Sequence, residues 1–173
     1  MNSISLKEKR EIVFSVLEEL NISYKLYEHP PLDTIEVAQE YWKDIDAMHC
    51  KNLFFRNHKG KRHYLVIIKD TTPFNIRSLE QKLKQGKLSF ASEKRLDKYL
   101  GIKAGSVSPF GLINDIENHV HIFMDEQIKK AEYISFHPND NTASLVLKYS
   151  DLLKYLDFIG NTYEFINPSP DII

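Results

Sequence analysis

The spacing of apolar residues predicts a chain that alternates between helices and strands. Ser5-Leu6-Lys7-Glu8 has the form of a helix capping box, and the apolar residues that follow share one helical face: Val13, Val16, Leu17 and Leu20. The segment Tyr24 to Glu28 is typical of a short strand. Asp33-Thr34-Ile35-Glu36 can cap a second helix, which we expect to run to about Trp42.

The middle of the chain predicts a hairpin, because strand-like runs at 52–57 and 63–69 flank a turn that contains Gly60. The unbroken apolar run Tyr64 to Ile68 indicates a central strand that is buried on both faces. Helices are expected at 77–84, 92–100 and 151–158, further strands at 87–90, 120–124, 133–136 and 143–149, and a loop at 101–111. Interleaved helices, strands and hairpins favour an α/β class with a mixed sheet over a regular doubly wound sheet.

Length and composition favour one globular domain over the whole chain, 1–173. A chain of 173 residues can bury about 70% of its unfolded surface, so a stable core requires neither a disulfide nor a metal. A single cysteine excludes an intramolecular disulfide, and no apolar run approaches the roughly 20 residues of a membrane span. We therefore expect a cytoplasmic protein without a membrane segment.

Basic residues concentrate in the centre of the chain although the net charge is only −1. Residues 56–103 carry 13 basic and 4 acidic side chains, and both flanking segments are acidic. Such a stretch forms either a patch that attracts a phosphate backbone or a surface whose charges scatter on folding. Charge alone favours the scattered surface.

Lys51 is the first candidate for a functional side chain, because it precedes the apolar residues Leu53, Phe54 and Phe55. An ammonium group that faces inward from such a strand is a strong donor to a carbonyl or phosphate oxygen. The alternative is an exposed lysine at a strand end, which is the commoner case.

Two loops are further candidates. Gly105 to Leu112 contains two glycines and a proline, and the exposed amide groups of such a loop can hold a carbonyl or an oxyanion. It lacks the Lys-Ser/Thr ending of a phosphate-binding loop. His137 to Thr142 is either a turn held by its own side chains or a segment that places His137 or Asn141 in a pocket.

The sequence offers neither a metal site nor a covalent nucleophile. Seven histidines are present without an HExxH pattern, and only His119 and His121 are expected on one strand face. Cys50 is adjacent to Lys51, so on a strand the two side chains point to opposite faces. No Gly-x-Ser-x-Gly elbow occurs. We expect no metal and no cofactor.

Several ordered motifs resemble the YbaK/ProX family of aminoacyl-tRNA deacylases. The resemblance runs from about Tyr24 to Leu156, and its motifs are Tyr27–Pro31 with Thr34, His49–Phe55, Lys61–Val66, Gly105–Leu112 and Phe136–Thr142. The Asn-Leu-Phe that follows Lys51 is most similar to the free-standing branch acting on alanyl-tRNA charged on proline tRNA. Phe55 stands where leucine is usual, which is a conservative change.

The resemblance implies a mixed, partly barrel-like sheet flanked by helices and an ester hydrolysis by water. It implies that Lys51 positions the substrate, that the loop from Gly105 to Pro109 holds the aminoacyl part, and that a ribose hydroxyl of the tRNA helps to activate the water. The residues expected to bind substrate are Thr34, Ile35, Ala38, Asn52, Ser106, Val107, Ser108, Phe110, Gly111, His137 and Asn141.

Size selection follows from the expected reaction. Prolyl-tRNA synthetase cannot fully exclude the smaller alanine, because a methylene is worth only about 1–3 kcal/mol, so a second pocket must admit alanine and reject proline. We expect the wall of this pocket near Ile35 and Ala38, with Phe110 close by.

The resemblance also adds weight to the basic stretch as a surface for mischarged tRNA, with prolyl-tRNA synthetase as a candidate partner. The expected contacts are Arg62, Lys82, Lys84, Lys94 and Arg95. Two alternatives stay open: hydrolysis of cysteinyl- or seryl-tRNA, and a non-catalytic module that binds tRNA or a synthetase.

Overall fold

The computed structural model describes residues 4–32 and 34–171, and for Ile35 it describes the backbone alone. The α-helices are α1 (Leu6–Glu19), α2 (Ile35–Trp42), α3 (Ile76–Leu83), α4 (Glu93–Leu100) and α5 (Tyr149–Ile159). The strands are β1 (Tyr24–Glu28), β2 (Met48–Asn57), β3 (His63–Lys69), β4 (Leu88–Phe90), β5 (Val120–Asp125), β6 (Tyr133–Phe136), β7 (Ala143–Lys148) and β8 (Tyr163–Ile166). Short 3₁₀ helices cover Pro109–Asn114 and Glu126–Lys130.

The eight strands form one mixed sheet in the order β1-β7-β6-β2-β3-β5-β8, with β4 paired to β2. The pairs β2/β6, β3/β5 and β5/β8 are parallel, and the other pairs are antiparallel. Helices flank this sheet, so the predicted α/β class with a mixed sheet is confirmed.

Strand β2 pairs with a single strand along one edge and with two separate strands along the other. It pairs with β3 from Cys50 to Arg56. On the other edge, β6 pairs only with Met48 and His49, and β4 begins its pairing at Phe55. The Ala91 N–H also donates to the Phe54 carbonyl at 2.9 Å. Within the described residues, this leaves 50–53 without a strand partner on that edge.

Two apolar clusters cover the two faces of the central strands. Alternate residues of β3 divide between them, with Leu65 and Ile67 in the larger cluster and Val66 and Ile68 in the smaller. All four are fully buried, which confirms that β3 is a central strand. The larger cluster includes α1, whose Ser5–Glu8 capping box is present as predicted.

The structure differs from the sequence prediction chiefly at β2, the glycine-proline loop, α5 and β8. Strand β2 begins at Met48, so Lys51 lies inside the strand rather than at its start. The 3₁₀ helix Pro109–Asn114 begins within the predicted loop, and α5 begins at Tyr149. Strand β8 was not predicted, and it is ordered by parallel pairing with β5.

None of the helices in the described part of the chain is both long and apolar enough to cross a membrane.

Gly111 allows the 3₁₀ helix to pack directly against α4. A Cβ on Gly111 would lie 2.9 Å from the Leu100 Cβ and 3.0 Å from its carbonyl oxygen. We predict that Gly111→Ala lowers the free energy of unfolding by about 1–3 kcal/mol, because this contact would be overpacked. Urea denaturation measures the change.

Gly86→Ala is the control for backbone strain without a new contact, since Gly86 has φ +76° and no atom within 4 Å of an added Cβ. The free energy of unfolding of Gly86→Ala should be about 1 kcal/mol lower than that of the parent. A Gly111→Ala protein as stable as the parent would contradict the packing argument.

Candidate functional site

A cleft of about 380 Å³ opens where the second edge of β2 lacks a partner. This volume lies within the range of small-molecule sites, roughly 300–1,000 Å³. Its lining is mostly apolar and comes from β2, α2 and four loops: Leu32, Thr34, Ala38, Trp42, Cys50, Lys51, Asn52, Leu53, Phe74, Gly105, Val107 and His137.

Lys51 contributes a positive charge to this cleft. Its side chain is half-buried, and its Nζ lies 5.5 Å from the centroid of the Phe74 ring, within cation–π range. None of the described carboxylates lies within 4 Å of this Nζ. The ammonium group is therefore available to a ligand that presents an oxygen atom.

Asn52 contributes an acceptor on the other face of β2, since it directly follows Lys51 in the strand. Its Oδ1 is buried and has no hydrogen-bond partner in the described part of the chain. A buried acceptor without a partner costs about 1–3 kcal/mol. Asn52 borders the cleft, and its Oδ1 therefore suits a ligand that brings a donor and displaces the packing around this oxygen.

His137 contributes a second acceptor. Its Nδ1 lies 2.7 Å from the Ala143 carbonyl oxygen, so Nδ1 carries the proton and donates it. Burial is the main cause that lowers the pKa of His137 below its ordinary value, and nearby His29 adds to the effect. The ring is therefore neutral at pH 7, and its Nε2 is left as an acceptor.

The turn after His137 is held in place by Arg10 of α1. The Arg10 Nε donates to the Asp140 carboxylate at 2.6 Å, and its Nη2 donates to Thr142 Oγ1 at 2.6 Å. The Thr142 N–H in turn donates to Asp140 at 2.9 Å. These contacts fix the segment that carries His137 and Asn141.

The glycine-proline loop reaches the cleft with its first half and is anchored by its second half. Gly105, with φ +86°, and Val107 line the cleft. Ser108 accepts a hydrogen bond from the Phe110 N–H at 3.1 Å, and the Pro109 carbonyl accepts one from the Tyr155 hydroxyl at 3.0 Å. Hydrogen bonds in the buried second half of the loop therefore fix the position of its first half at the cleft.

The structure brings together seven of the residues proposed from sequence: Thr34, Ala38, Lys51, Asn52, Gly105, Val107 and His137. Asn141 lies next to the cleft, because its Nδ2 is 3.8 Å from the position of a Cβ on Gly105. The side chain of Ile35 lies outside the described residues.

Five loop residues proposed to act in the site do not line the cleft: Ser106, Ser108, Pro109, Phe110 and Gly111. All five are buried beneath it. Phe110 is a correction to the expected pocket wall, since its ring is fully buried in the core and packs edge-on against Phe136 and Tyr155.

Five lining residues were not proposed from sequence: Leu32, Trp42, Cys50, Leu53 and Phe74. Cys50 belongs to the larger apolar cluster, on the face opposite Lys51, as strand alternation predicts. It still borders the cleft, because the cleft opens at the edge of β2 rather than on one face. Burial raises the pKa of the Cys50 thiol well above its ordinary value, so the thiol is not activated as a nucleophile.

The residues proposed to bind tRNA occupy different environments. Arg62, Lys84 and Lys94 are exposed. Arg95 is a structural contact, because its Nη1 donates to the Gly60 carbonyl at 2.9 Å and to His63 Nε2 at 2.8 Å. Lys82 forms an ion pair with Asp171 at 2.5 Å.

The expectation that His119 and His121 share one strand face is wrong, because β5 begins at Val120. His119 precedes β5, and its Nε2 accepts from His63 Nδ1 at 2.9 Å, whereas His121 contacts Thr162 and Glu164. Burial, with the nearby His119 and Arg95, lowers the pKa of His63 to about 4. No group of three or more His, Cys, Asp or Glu side chains in the described ranges could hold a metal ion.

Comparison with known proteins gives consistent matches. The model of the aminoacyl-tRNA editing domain matches residues 29–155. "Prolyl-tRNA editing protein ProX" of Acetoanaerobium sticklandii is 41% identical over 92% of this chain and 97% of its own length. "Prolyl-tRNA synthetase associated domain-containing protein 1" of Danio rerio is 29% identical over 84% of this chain and 80% of its own length.

A solved structure assigned as a trans-editing enzyme for prolyl-tRNA synthetase has the same fold. Its TM-score is 0.67 at 19% identity, over 94% of this chain and 99% of the solved chain.

Arg10 should stabilise the protein through Asp140. Burial would raise the pKa of the Asp140 carboxyl, but hydrogen bonds from Thr142 and the charge of Arg10 outweigh it and lower the pKa below 3.8. A carboxyl with a lowered pKa stabilises the fold above its unfolded pKa, and this contribution is lost as the pH falls through the folded pKa. Arg10→Ala should therefore lower the free energy of unfolding at pH 7 by on the order of 3 kcal/mol.

Urea denaturation between pH 7 and pH 3 measures the difference in the free energy of unfolding between Arg10→Ala and the parent. This difference should become smaller as the pH approaches 3. Lys7→Ala is the control, because the Lys7 side chain is 86% exposed and its 3.9 Å pair with Glu11 is solvated. A difference between Arg10→Ala and the parent that does not change with pH would contradict the role given to Asp140.

Proposed function

The chain belongs to the aminoacyl-tRNA editing domain family, and from this premise we propose that it is a trans-editing hydrolase that removes alanine from mischarged alanyl-tRNA(Pro). The observation that carries the proposal is the cleft at the edge of β2, which combines the Lys51 ammonium with two acceptors in an apolar setting. We treat the whole chain, 1–173, as one editing domain.

The cleft groups match the charges of an aminoacyl ester. The α-ammonium of alanine is a donor that suits the Asn52 oxygen and His137 Nε2, and its ester carbonyl suits the Lys51 ammonium. These contacts hold the substrate by its two ends. The methyl group of alanine then lies against apolar wall.

Hydrolysis requires stabilisation of the oxyanion that forms when water attacks the ester carbonyl. Water adds its oxygen to the carbonyl carbon, the bond to the ribose oxygen breaks, and the ribose oxygen takes up a proton. Alanine leaves as its carboxylate, and the second proton of the water is released to solvent. Lys51 stabilises the negative charge on the carbonyl oxygen, and a free ribose hydroxyl of the tRNA helps to activate the water.

Size selection comes from short side chains on two walls of the cleft. Ala38 of α2 is almost fully buried, and Val107 belongs to the glycine-proline loop. A wall that fits a methyl group rejects a proline ring by contact. This selectivity is limited to about 1–3 kcal/mol for each methylene.

Mischarged tRNA is the partner that this reaction requires, and the two named relatives support tRNA and a synthetase as partners of the family. We propose proline tRNA as the substrate and a transient contact with prolyl-tRNA synthetase. Exposed Arg62, Lys84 and Lys94 are the remaining candidates for phosphate contacts. Arg62 directly precedes β3, and Lys51 pairs with Ile68 near the other end of that strand. At 3.3 Å for each residue, Arg62 and Ile68 are about 20 Å apart along the strand.

Two other functions would use the same cleft. Cysteinyl- and seryl-tRNA carry side chains only one heavy atom larger than alanine, so a deacylase for either would need little change in the wall. A non-catalytic module would bind charged tRNA without release of the amino acid. The first experiment below separates these outcomes.

Lys51→Ala should reduce the release of alanine from alanyl-tRNA(Pro) by about 100- to 1,000-fold, because a donor to the oxyanion is removed. The measurement follows amino-acid release from tRNA(Pro) charged with alanine, cysteine or serine. Lys59→Ala, at an exposed turn of the hairpin, is the matched control and should keep the parent rate. Release of cysteine or serine faster than alanine would favour the alternative substrate, and no release by the parent would leave the binding module.

Val107→Ala should enlarge the cleft and allow slow deacylation of correctly charged prolyl-tRNA(Pro). We expect the ratio of kcat/KM for alanyl- over prolyl-tRNA(Pro) to fall about tenfold, which is the effect of one or two methyl groups in an apolar wall. Val146→Ala, at a buried valine away from the cleft, is the control and should leave the ratio unchanged. An unchanged ratio in Val107→Ala would exclude this wall from size selection.

A further inference from the structure

Phe90 is an aromatic side chain that the fold leaves on the surface. It is 54% exposed at the end of β4, and its ring stacks on Phe55 with 4.6 Å between centroids and 28° between planes. Phe55 itself is fully buried. One face of the Phe90 ring therefore covers the core, and the other is free to contact a ligand.

The register of the sheet places Phe90 in line with Lys51. Phe90 lies directly opposite Phe55, which follows Lys51 by four residues on the same face of β2. Four residues of a strand span about 13 Å. The exposed ring thus lies a short distance from the cleft, on the same face of the sheet as the Lys51 ammonium.

The backbone beside this ring faces an open edge of the sheet. The Ala91 N–H donates to Phe54 of β2, so alternation turns the Phe90 N–H away from β2. The Leu88 N–H points to the same outer side, and it donates to Glu80 Oε1 at 2.9 Å. Phe90 therefore presents a ring face together with a backbone donor.

The stretch of chain on either side of Phe90 is basic, and the Glu80 carboxylate at the outer edge of β4 is occupied by the Leu88 N–H. Residues 84–95 carry four basic side chains and one acidic side chain. Three of these lysines are exposed: Lys84, Lys87 and Lys94. An exposed aromatic ring among cationic side chains is the combination that binds single-stranded nucleic acid, because bases stack on the ring while cations contact the phosphates.

We infer that Phe90 is a stacking platform for one of the unpaired bases that precede the terminal nucleotide of the tRNA substrate. The inference rests on the proposed function, since it places the aminoacylated terminus at Lys51. It adds a contact with the single-stranded 3′ end that the cleft does not supply. The lysines of residues 84–95 then lie beside the phosphates of the same strand.

The test compares Phe90→Leu, which still covers Phe55 but has no aromatic face, with Phe90→Trp, which keeps one. Binding is measured with tRNA(Pro) that carries alanine through a non-hydrolysable amide. Phe90→Leu should weaken binding about tenfold, the loss expected for one stacked base, and Phe90→Trp should bind within about twofold of the parent. Thermal unfolding establishes that each variant folds.

A second readout separates stacking from an indirect effect on the cleft. Alanyl-adenosine ester lacks the preceding bases, so the ratio of kcat/KM for alanyl-tRNA(Pro) over alanyl-adenosine should fall about tenfold in Phe90→Leu. Phe158→Leu is the matched control, because Phe158 is 49% exposed on α5 beside acidic Asp157, and its ratio should equal that of the parent.

Parent-like binding by Phe90→Leu, or an equal loss with both substrates, would overturn the inference. Failure of the proposed function gives a different result, because the parent would then release no alanine from either substrate. In that case, the affinities of Phe90→Leu and Phe90→Trp for uncharged tRNA(Pro) would still test whether Phe90 stacks on a base.

Discussion

The change of partners along one edge of β2 is the constraint on which the rest of the site depends. β6 leaves this edge after His49, and the chain that ends β4 rejoins it at Phe54 through the Ala91 N–H, so within the described residues 50–53 have no strand partner on that side. Backbone groups within a sheet are normally paired with a neighbouring strand. Here the missing neighbour creates a cleft, and side chains from both faces of β2 reach it because it opens at an edge.

The cleft selects its ligand by the placement of one charge and two acceptors in apolar surroundings. Interactions of a charge are stronger where water is partly excluded, so a half-buried Lys51 is a better anchor for a carbonyl than a surface lysine. The His137 acceptor is oriented by the Ala143 carbonyl and by the turn that Arg10 holds. Helix α1 lies outside residues 29–155, to which the family model is matched, yet it supplies this clamp.

Much of the fold could be predicted from local patterns, because the capping residues, the hairpin glycine and the apolar run of β3 act over a few residues. Strand β8 could not, since its four residues are ordered by pairing with a distant strand. Within the site, Lys51 and His137 were predicted from motifs, whereas Leu32, Trp42 and Phe74 were missed because only long-range packing brings them together. Charge counts could not predict the hydrogen bonds of Arg95 to Gly60 and His63, because tertiary structure sets them.

The most direct measurement of the central claim is a crystal structure with a non-hydrolysable amide analogue of 3′-alanyl-adenosine. The account predicts that the alanyl group occupies the cleft at the edge of β2. Its carbonyl oxygen should lie within about 3 Å of the Lys51 Nζ, and its ammonium group should lie beside the Asn52 Oδ1. An analogue bound elsewhere, or bound in the cleft with its carbonyl directed away from Lys51, would contradict the account.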